Sequence, residues 1–202
     1  PSNSLMTGFI GTASVSEALS KNGRDDLAYA ILTNKSYPSW LYSVVNGATS
    51  IWERLNSYTI ENGFGGNNSM NSFNHYSFGA VAAWMYNYSL GIQRDPKSPG
   101  FKHFVLNPRI DPTGKLKFAK GHVNTMYGVI KSSWKIVGNS TQYQFTVPAN
   151  TSAKLLVPSK SQQAIRSLGK PIKIGNGVIS ITEKGNNVEI ELESGSYIFT
   201  VN

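Results

Sequence analysis

The chain has 202 residues, of which 40% are hydrophobic and 15% are charged, and this composition is too apolar for a disordered protein. No apolar run approaches the roughly 18 residues that a membrane-spanning helix needs, so we expect no membrane partner. The absence of cysteine excludes disulfides, thiolate zinc sites and a cysteine nucleophile.

The net charge of +8 is unevenly distributed along the chain. Residues 1–95 carry five Lys and Arg against six Asp and Glu, whereas residues 96–202 carry fourteen against five. The lysines of the second half alternate with apolar residues, which is typical of the solvated face of β-strands. No phosphate-binding loop, zinc-finger spacing or stacking-aromatic motif accompanies them, so we predict no nucleic-acid partner.

Residues 1–95 have the periodicity of helices. The capping and stop signals predict four segments: from a cap at Thr12 or Ser14 to Ser20, over 24–32, from Pro38 through Val45, and over 72–90. Residues 56–71, which include Gly63, Gly65, Gly66 and Met70, form a long irregular stretch of the kind that is usually functional or disordered. The third helix is apolar nearly all round and the fourth is broadly apolar, so we expect residues 1–95 to belong to a larger helical domain.

The period changes from 3.6 to 2 after the linker at residues 95–100. Alternating segments then recur at 116–123, 129–137, 142–147, 153–157, 178–181, 188–192 and 197–201. Short strands at this spacing predict an antiparallel β-sandwich. We therefore divide the chain into two domains, 1–95 and 96–202.

Glu53 is one of two carboxylates between Leu27 and Gln93, and it stands between Trp52 and Arg54. An acid among apolar residues is costly to bury unless it is paired or used. Two interpretations are open: a structural ion pair with Arg54 or a neighbouring helix, or a catalytic group. Trp52 either stacks on the C–H face of a sugar or fills the core.

His75 falls in the first turn of the predicted fourth helix, where the helix dipole disfavours the imidazolium form. It is either a structural histidine or a neutral ring that hydrogen-bonds a hydroxyl. His103 and His122 are predicted to be surface residues. The three histidines have no metal-ligand spacing, and we expect neither metal nor other cofactor.

Six blocks occur in order along the chain: residues 7–12 (TGFIGT), 22–29 (NGRDDLAY), 37–42 (YPSWLY), 47–54 (GATSIWER), 72–76 (SFNHY) with Gly79-Ala80, and 99–104 (PGFKHF). This series resembles the C-terminal part of the bacterial α-L-rhamnosidases, glycoside hydrolase family 78, over residues 6–160. The resemblance implies an α+β multidomain protein that contains the last helices of an (α/α)6 six-hairpin barrel, followed by a β-sandwich.

The family resemblance also implies a function, the inverting hydrolysis of terminal α-L-rhamnosyl residues of a glycan or glycoside. Glu53 then corresponds to the general base and His75 to a ligand of the rhamnose. Trp52 and Trp40 are expected as walls of the same pocket. Arg54, beside Glu53, would keep the carboxylate ionised and is included among the sugar-binding residues.

The family's general acid belongs to an acidic motif far upstream, and nothing in residues 1–52 matches it. We therefore expect a fragment that is inactive without the N-terminal part of the same enzyme. A periplasmic or extracellular location is favoured over a cytoplasmic one. Two alternatives are a different (α/α)6-barrel glycosidase, and a non-catalytic carbohydrate-binding or structural sandwich with Tyr127 and Trp134 as ligands.

Overall fold

A computed structural model describes residues 4–64 and 71–202 of the chain. The chain forms two compact units, Pro1–Trp84 with Asp111–Lys115 (unit 1) and Met85–Ile110 with Leu116–Asn202 (unit 2). Gly65, Gly66 and Met70 of the predicted long loop lie outside the described residues. The proposed domain boundary at residue 95 stays a prediction.

Unit 1 contains the helices. They are α1 (Phe9–Lys21), α2 (Asp25–Leu32), α3 (Trp40–Val45) and α4 (Val81–Trp84), the last preceded by a 3₁₀ turn over Ser77–Ala80. A π-helical turn over Met85–Ser89 follows in unit 2. Within the described part of the chain, no helix has the length and apolarity needed to cross a bilayer.

The first helix starts earlier than its sequence predicts. Thr12 was expected as a possible N-cap, but α1 begins at Phe9 and Thr12 lies buried inside its first turns. The Thr12 hydroxyl donates to the Gly8 carbonyl at 2.7 Å, a local side-chain bond that a threonine can make within a helix. The α3 cap agrees better with its sequence, because the Ser39 hydroxyl accepts the Tyr42 N–H at 3.1 Å.

The fourth predicted helix begins five residues late and is divided into 3₁₀, α and π turns. Its expected first turn is instead paired with an earlier segment, because the His75 N–H donates to the Ile51 carbonyl at 2.8 Å. His75 therefore precedes the helix at Ser77. The prediction that a helix dipole acts on its imidazole is wrong.

The core of unit 1 is small. Leu5, Trp40, Leu55 and Phe78 form its buried apolar cluster, and each keeps between 4% and 9% of its surface exposed. Several large apolar side chains are well exposed in the same unit: Met6, Ile10, Val44, Val45, Ile60, Phe64 and Tyr76. This agrees with the predicted shortage of neighbours for these helices.

Unit 2 contains eleven strands in two sheets. The five-stranded sheet has the order β1-β2-β6-β10-β9 and the six-stranded sheet has the order β3-β4-β5-β11-β7-β8. All pairs are antiparallel except β2 with β6. The bounds are β1 Ile92–Arg94, β2 His103–Leu106, β3 Phe118–Thr125, β4 Gly128–Val137, β5 Ser140–Val147, β6 Ser152–Pro158, β7 Ile165–Ser167, β8 Lys170–Pro171, β9 Val178–Lys184, β10 Asn187–Leu192 and β11 Gly195–Val201. The predicted antiparallel sandwich is confirmed.

The inner face of the six-stranded sheet forms a fully buried core. Trp134 of β4 lies opposite Tyr143 of β5, which lies opposite Phe199 of β11, and all three are at most 2% exposed. Burial raises the pKa of the Tyr143 phenol. The suggestion that Trp134 is an exposed sugar ligand of the sandwich is therefore wrong.

The backbone at Gly91, directly before β1, packs closely against the backbone of residues 107–108. Gly91 has a φ of 71°, and a Cβ there would lie 2.1 Å from the Pro108 nitrogen and 2.2 Å from the Asn107 carbonyl carbon. The Asn107 N–H donates to the Gly91 carbonyl at 2.8 Å. Only glycine fits both the positive φ and this contact.

Candidate active site

Backbone pairing brings the two specific sequence blocks together in unit 1. The Glu53 N–H donates to the Ser72 carbonyl at 2.8 Å, and the His75 N–H donates to the Ile51 carbonyl at the same distance. The Ser50 hydroxyl also donates to the Phe73 carbonyl. Residues 19 to 24 positions apart in the chain therefore lie on adjacent segments.

The Glu53 carboxylate is held in place by the main chain. Its Oε2 accepts the Ser72 N–H at 2.7 Å, so the Glu53–Ser72 pair is joined through both the backbone and the carboxylate. A charge-assisted bond of this length fixes the orientation of the acid. The side chain is half-buried, which leaves it reachable from solvent.

Glu53 lines an open cleft of about 420 Å³. The cleft is mainly apolar and aromatic, with Arg54 and Asn56 as the other polar side chains. The remaining lining residues are Leu5, Met6, Gly8, Phe9, Tyr37, Pro38, Leu55 and Phe78. An acid in a concave apolar site with a few polar groups is the usual arrangement of a small-ligand pocket.

His75 lies beside this cleft, and Phe9 connects the two. The Phe9 ring lines the cleft and stacks on the imidazole, with 4.7 Å between centroids and 25° between planes. The imidazole also stacks on Tyr76, with 5.5 Å between ring centroids. Glu53 and His75 are therefore brought to one region of unit 1, as their sequence blocks suggested.

The hydrogen bond at the His75 ring defines which nitrogen is available. The Ser77 N–H points to Nδ1 at 3.4 Å, so Nδ1 is the acceptor in this arrangement. In the neutral ring the proton is then on Nε2. His75 thus has one N–H donor that can be directed at a hydroxyl group.

The two tryptophans of the sequence blocks are both buried. Trp40 is buried in the core cluster, and its Nε1 donates to the Phe78 carbonyl at 2.8 Å. Trp52 is 6% exposed and packs edge-to-face on Phe73 at 5.4 Å. Among the described residues, neither indole belongs to the lining of the Glu53 cleft. Three neighbours of Trp40 in the core (Leu5, Leu55 and Phe78) do line the cleft, so Trp40 supports its floor.

Sequence reasoning missed three contributors to the site. Phe9 and Tyr37 line the cleft, and the Ser72 N–H holds the Glu53 carboxylate. All three stand in the blocks at 7–12, 37–42 and 72–76. Their roles depend on aromatic packing and on a main-chain donor, which the residue type does not reveal. Tyr37 is 53% exposed, and the Tyr37–Pro38 peptide bond is cis.

A second titratable cluster lies in unit 2. His103 was predicted to be a surface residue, but it is only partly exposed and is held between two carboxylates. Its Nδ1 is 2.7 Å from Asp95 Oδ2, and its Nε2 is 3.2 Å from Glu191 Oε2. His103 is thus less exposed than predicted, whereas His122 is exposed as predicted. No group of three or more potential metal ligands is found in the part of the chain that the structure describes.

The cleft contains one of the two carboxyl groups that a site for acid–base hydrolysis needs. Glu53 is the single carboxylate among the described residues that line it. A positioned, solvent-reachable carboxylate can remove a proton from a water molecule, whereas protonating a leaving group at the same time requires a second carboxyl group.

Comparison with known proteins gives consistent matches over both units. Residues 1–89 match the family model of the bacterial alpha-L-rhamnosidase 6 hairpin glycosidase domain, and residues 91–170 match that of the bacterial alpha-L-rhamnosidase C-terminal domain. An alpha-L-rhamnosidase of Alteromonas sp. (strain LOR) is 41% identical over 86% of this chain and 19% of its own length. One from Formosa agariphila is 38% identical over 98% of this chain and 21% of its own length.

Solved structures agree with these sequence matches. The alpha-L-rhamnosidase of Streptomyces avermitilis complexed with L-rhamnose has a TM-score of 0.84 at 30% identity, over 99% of this chain and 18% of that one. The alpha-L-rhamnosidase from Dictyoglumus thermophilum has a TM-score of 0.82 at 31% identity, over 99% and 21%. The chain thus spans about a fifth of the length of the relatives that it matches.

Proposed function

The chain belongs to the bacterial α-L-rhamnosidase family, and we propose that it supplies the general base and part of the sugar site for the inverting hydrolysis of terminal α-L-rhamnosyl residues. The observation that carries this proposal is the Glu53 carboxylate, fixed by the Ser72 N–H at 2.7 Å on the wall of an open cleft, with His75 beside it. The substrate would be a rhamnose-containing glycan or glycoside.

Glu53 acts on water in this proposal. An inverting hydrolase places a base on one face of the sugar and an acid on the other, with the two carboxyl groups roughly 6.5–9.5 Å apart. The Glu53 Oε2 is engaged by Ser72, so Oε1 is the oxygen that takes the proton of the attacking water. The bond to a main-chain donor keeps the carboxylate in one orientation while the water is activated.

His75 and Phe9 would bind the rhamnose. With Nδ1 accepting from Ser77, the Nε2–H of a neutral His75 is the donor for a sugar hydroxyl. Phe9 is 41% exposed and gives an apolar ring surface against which the less polar face of a deoxy sugar can pack. Arg54 lines the cleft next to the base, Trp40 supports the cleft from the core cluster, and Trp52 is buried beside Phe73.

The general acid would come from the part of the relatives' length that this chain does not span. The described lining of the cleft contains one carboxylate, and one carboxylate cannot perform both halves of the displacement. The chain by itself is therefore expected to release no nitrophenol from p-nitrophenyl α-L-rhamnoside. Substantial turnover by the 202-residue chain would contradict this assignment.

The test of the base uses a matched pair of variants in an enzyme that includes the missing part. Glu53→Gln is expected to lower kcat for p-nitrophenyl α-L-rhamnoside by about a thousandfold or more, because the amide cannot accept the proton. Glu61→Gln is the control, since Glu61 is the other carboxylate between Leu27 and Gln93 and is exposed. If Glu53→Gln retains near-wild-type turnover, Glu53 is not the base.

The alternative of a non-catalytic sandwich module has less support. Trp134 is 1% exposed, and the Tyr127 ring lies under Lys102 Nζ at 5.3 Å. The other alternative, a barrel glycosidase for a different sugar, is tested by offering the same enzyme a panel of nitrophenyl glycosides.

A further inference from the structure

Charge is segregated between the two sheets of unit 2. Residues 112–182 contain ten Lys and Arg and no Asp or Glu. All six strands of the β3-β4-β5-β11-β7-β8 sheet are free of carboxylates, whereas β9 and β10 of the other sheet carry Glu183, Glu189 and Glu191. The basic residues of this sheet lie on β3, β4, β7 and β8, whereas β5 and β11 between them carry neither acidic nor basic residues.

Strand register places polar residues in rows on the outward face of this sheet. One row across β3, β4, β5 and β11 contains Lys120, Ser133, Gln144 and Ile198. The next row contains His122, Lys131, Thr146 and Ser196. Both rows line an open hollow of about 810 Å³. Each row thus contains one lysine beside hydroxyl or amide side chains.

The lysines of this face are not neutralised by neighbours. Over residues 4–64 and 71–202, no carboxylate forms an ion pair with Lys120, Lys131 or Lys135. By contrast, Lys154 and Lys184 of the other sheet lie 3.5 Å from glutamates. Unpaired cations around a concave surface concentrate anionic ligands there.

One end of the face carries an exposed aromatic ring. Phe118 is 67% exposed and lies two residues from Lys120 on β3, opposite Lys135 of β4. A smaller hollow of about 170 Å³, lined in part by Phe118, Lys120, Lys135 and Gln142, adjoins the larger one. An apolar ring next to cations and amides suits a ligand that has C–H surfaces as well as charge.

We propose that this outward face binds an acidic polysaccharide, one that carries carboxylate or sulfate groups. The lysines attract the anionic groups as point charges, the serine, threonine and glutamine side chains bind sugar hydroxyls, and Phe118 packs on a ring face. A nucleic acid is less suited, because the two rows contain no arginine and only one exposed aromatic ring is available for base stacking. The inference uses no residue of the Glu53 site and is independent of the catalytic proposal.

The test is direct binding by the full chain, measured by calorimetry and by affinity electrophoresis. The probes are polygalacturonate for the carboxylate, dextran sulfate for the sulfate, neutral dextran, and double-stranded DNA. We expect binding to at least one acidic polysaccharide, which identifies the anion, and no binding to dextran. The affinity should fall as salt rises, since the contacts are exposed charges.

Matched variants distinguish binding at this face from a general effect of the chain's net charge. Lys120→Ala/Lys131→Ala is expected to weaken binding at least tenfold, and Phe118→Ala severalfold. Lys160→Ala/Lys184→Ala removes the same charge away from the face and should change affinity less than twofold. All changed residues are exposed, and thermal unfolding verifies that each variant is folded. Equal losses in the two double variants, tighter binding to DNA, or no binding to either acidic polysaccharide would overturn the proposal.

Discussion

The two units of the chain differ in how completely they bury their own apolar surface. Of the largest fully buried side chains, unit 1 contributes Tyr29, whereas unit 2 contributes the rest, including Trp134, Phe104 and Phe145. Unit 1 leaves Ile10 92% exposed. The strand unit thus closes around its own core, and the helical unit does not.

The proposed base Glu53 and the proposed sugar ligand His75 lie in the unit that buries less of its own apolar surface. Glu53 and His75 are positioned by a few backbone hydrogen bonds and aromatic contacts, not by a deep core. The strand unit instead carries an exposed face with lysine side chains. Stability and catalysis are therefore expected to respond to different substitutions.

The largest expected effect comes from separating the units. Residues 85–202 expressed alone should unfold cooperatively on heating and give dispersed amide NMR signals, because the sandwich core is built within them. Residues 1–84 alone should show no cooperative transition, since their apolar cluster is small. A sharp unfolding transition in residues 1–84 would show that these residues also fold cooperatively by themselves.

A matched pair of tryptophan substitutions compares the cost of losing a buried indole hydrogen bond in the two units. Trp134 Nε1 donates to the Ser89 carbonyl, and Trp40 Nε1 donates to the Phe78 carbonyl, both at 2.8 Å. Changing either to Phe leaves a buried carbonyl without its donor, at a cost of about 1–3 kcal/mol. We expect Trp134→Phe near the upper end and Trp40→Phe near the lower, because Trp134 is more completely buried.

Urea unfolding measures both losses in the free energy of unfolding. Phe118→Leu on the exposed face is the control and should stay within about 0.5 kcal/mol of the wild type. Equal losses for Trp134→Phe and Trp40→Phe would mean that the two cores are equally tight.

The smallest expected effect is a pH dependence in unit 2. The Lys97 N–H, followed by His103, lowers the pKa of Asp95 below its usual value of 3.8. Ionised Asp95 therefore stabilises the folded state at pH values above about 4, and this contribution is lost as the pH falls below that range. His103 also faces Glu191, which lies 3.5 Å from Lys154, so Asp95 belongs to a cluster of four charged or ionisable side chains.

Asp95→Asn should remove that part of the acid dependence. The variant is expected to have a lower Tm than the wild type at pH 6 and to approach it as the pH falls toward 3, as measured by calorimetry. A difference in Tm that is constant from pH 6 to pH 3 would show that ionisation of Asp95 is not the cause.

Much of the strand unit was predictable because its strands are long enough to alternate. All seven predicted strands are present, including β4, in which Ile130, Ser132 and Trp134 are buried and Lys131 is exposed. The missed strands β1, β2, β7 and β8 have two to four residues, too few for a period to be recognised. Their pairing depends on partners that are distant in sequence.

The site was predictable only as far as its residue types go. The sequence blocks suggested Glu53 and His75 as site residues, and the structure brings their segments together. The start of the fourth helix was misplaced because residues 72–75 have suitable capping side chains, while their backbone groups pair with Ile51 and Glu53. Such long-range pairing overrides local propensity and has no local signature.

The bond between Ser72 and Glu53 has a consequence for how the site tolerates change. Its donor belongs to the main chain, so nineteen of the twenty standard amino acids at position 72 can supply it, and proline alone lacks the hydrogen. Almost any substitution at position 72 therefore leaves the hydrogen bond to the Glu53 carboxylate in place. Ser72→Pro is the one substitution that would remove this donor from the Glu53 carboxylate.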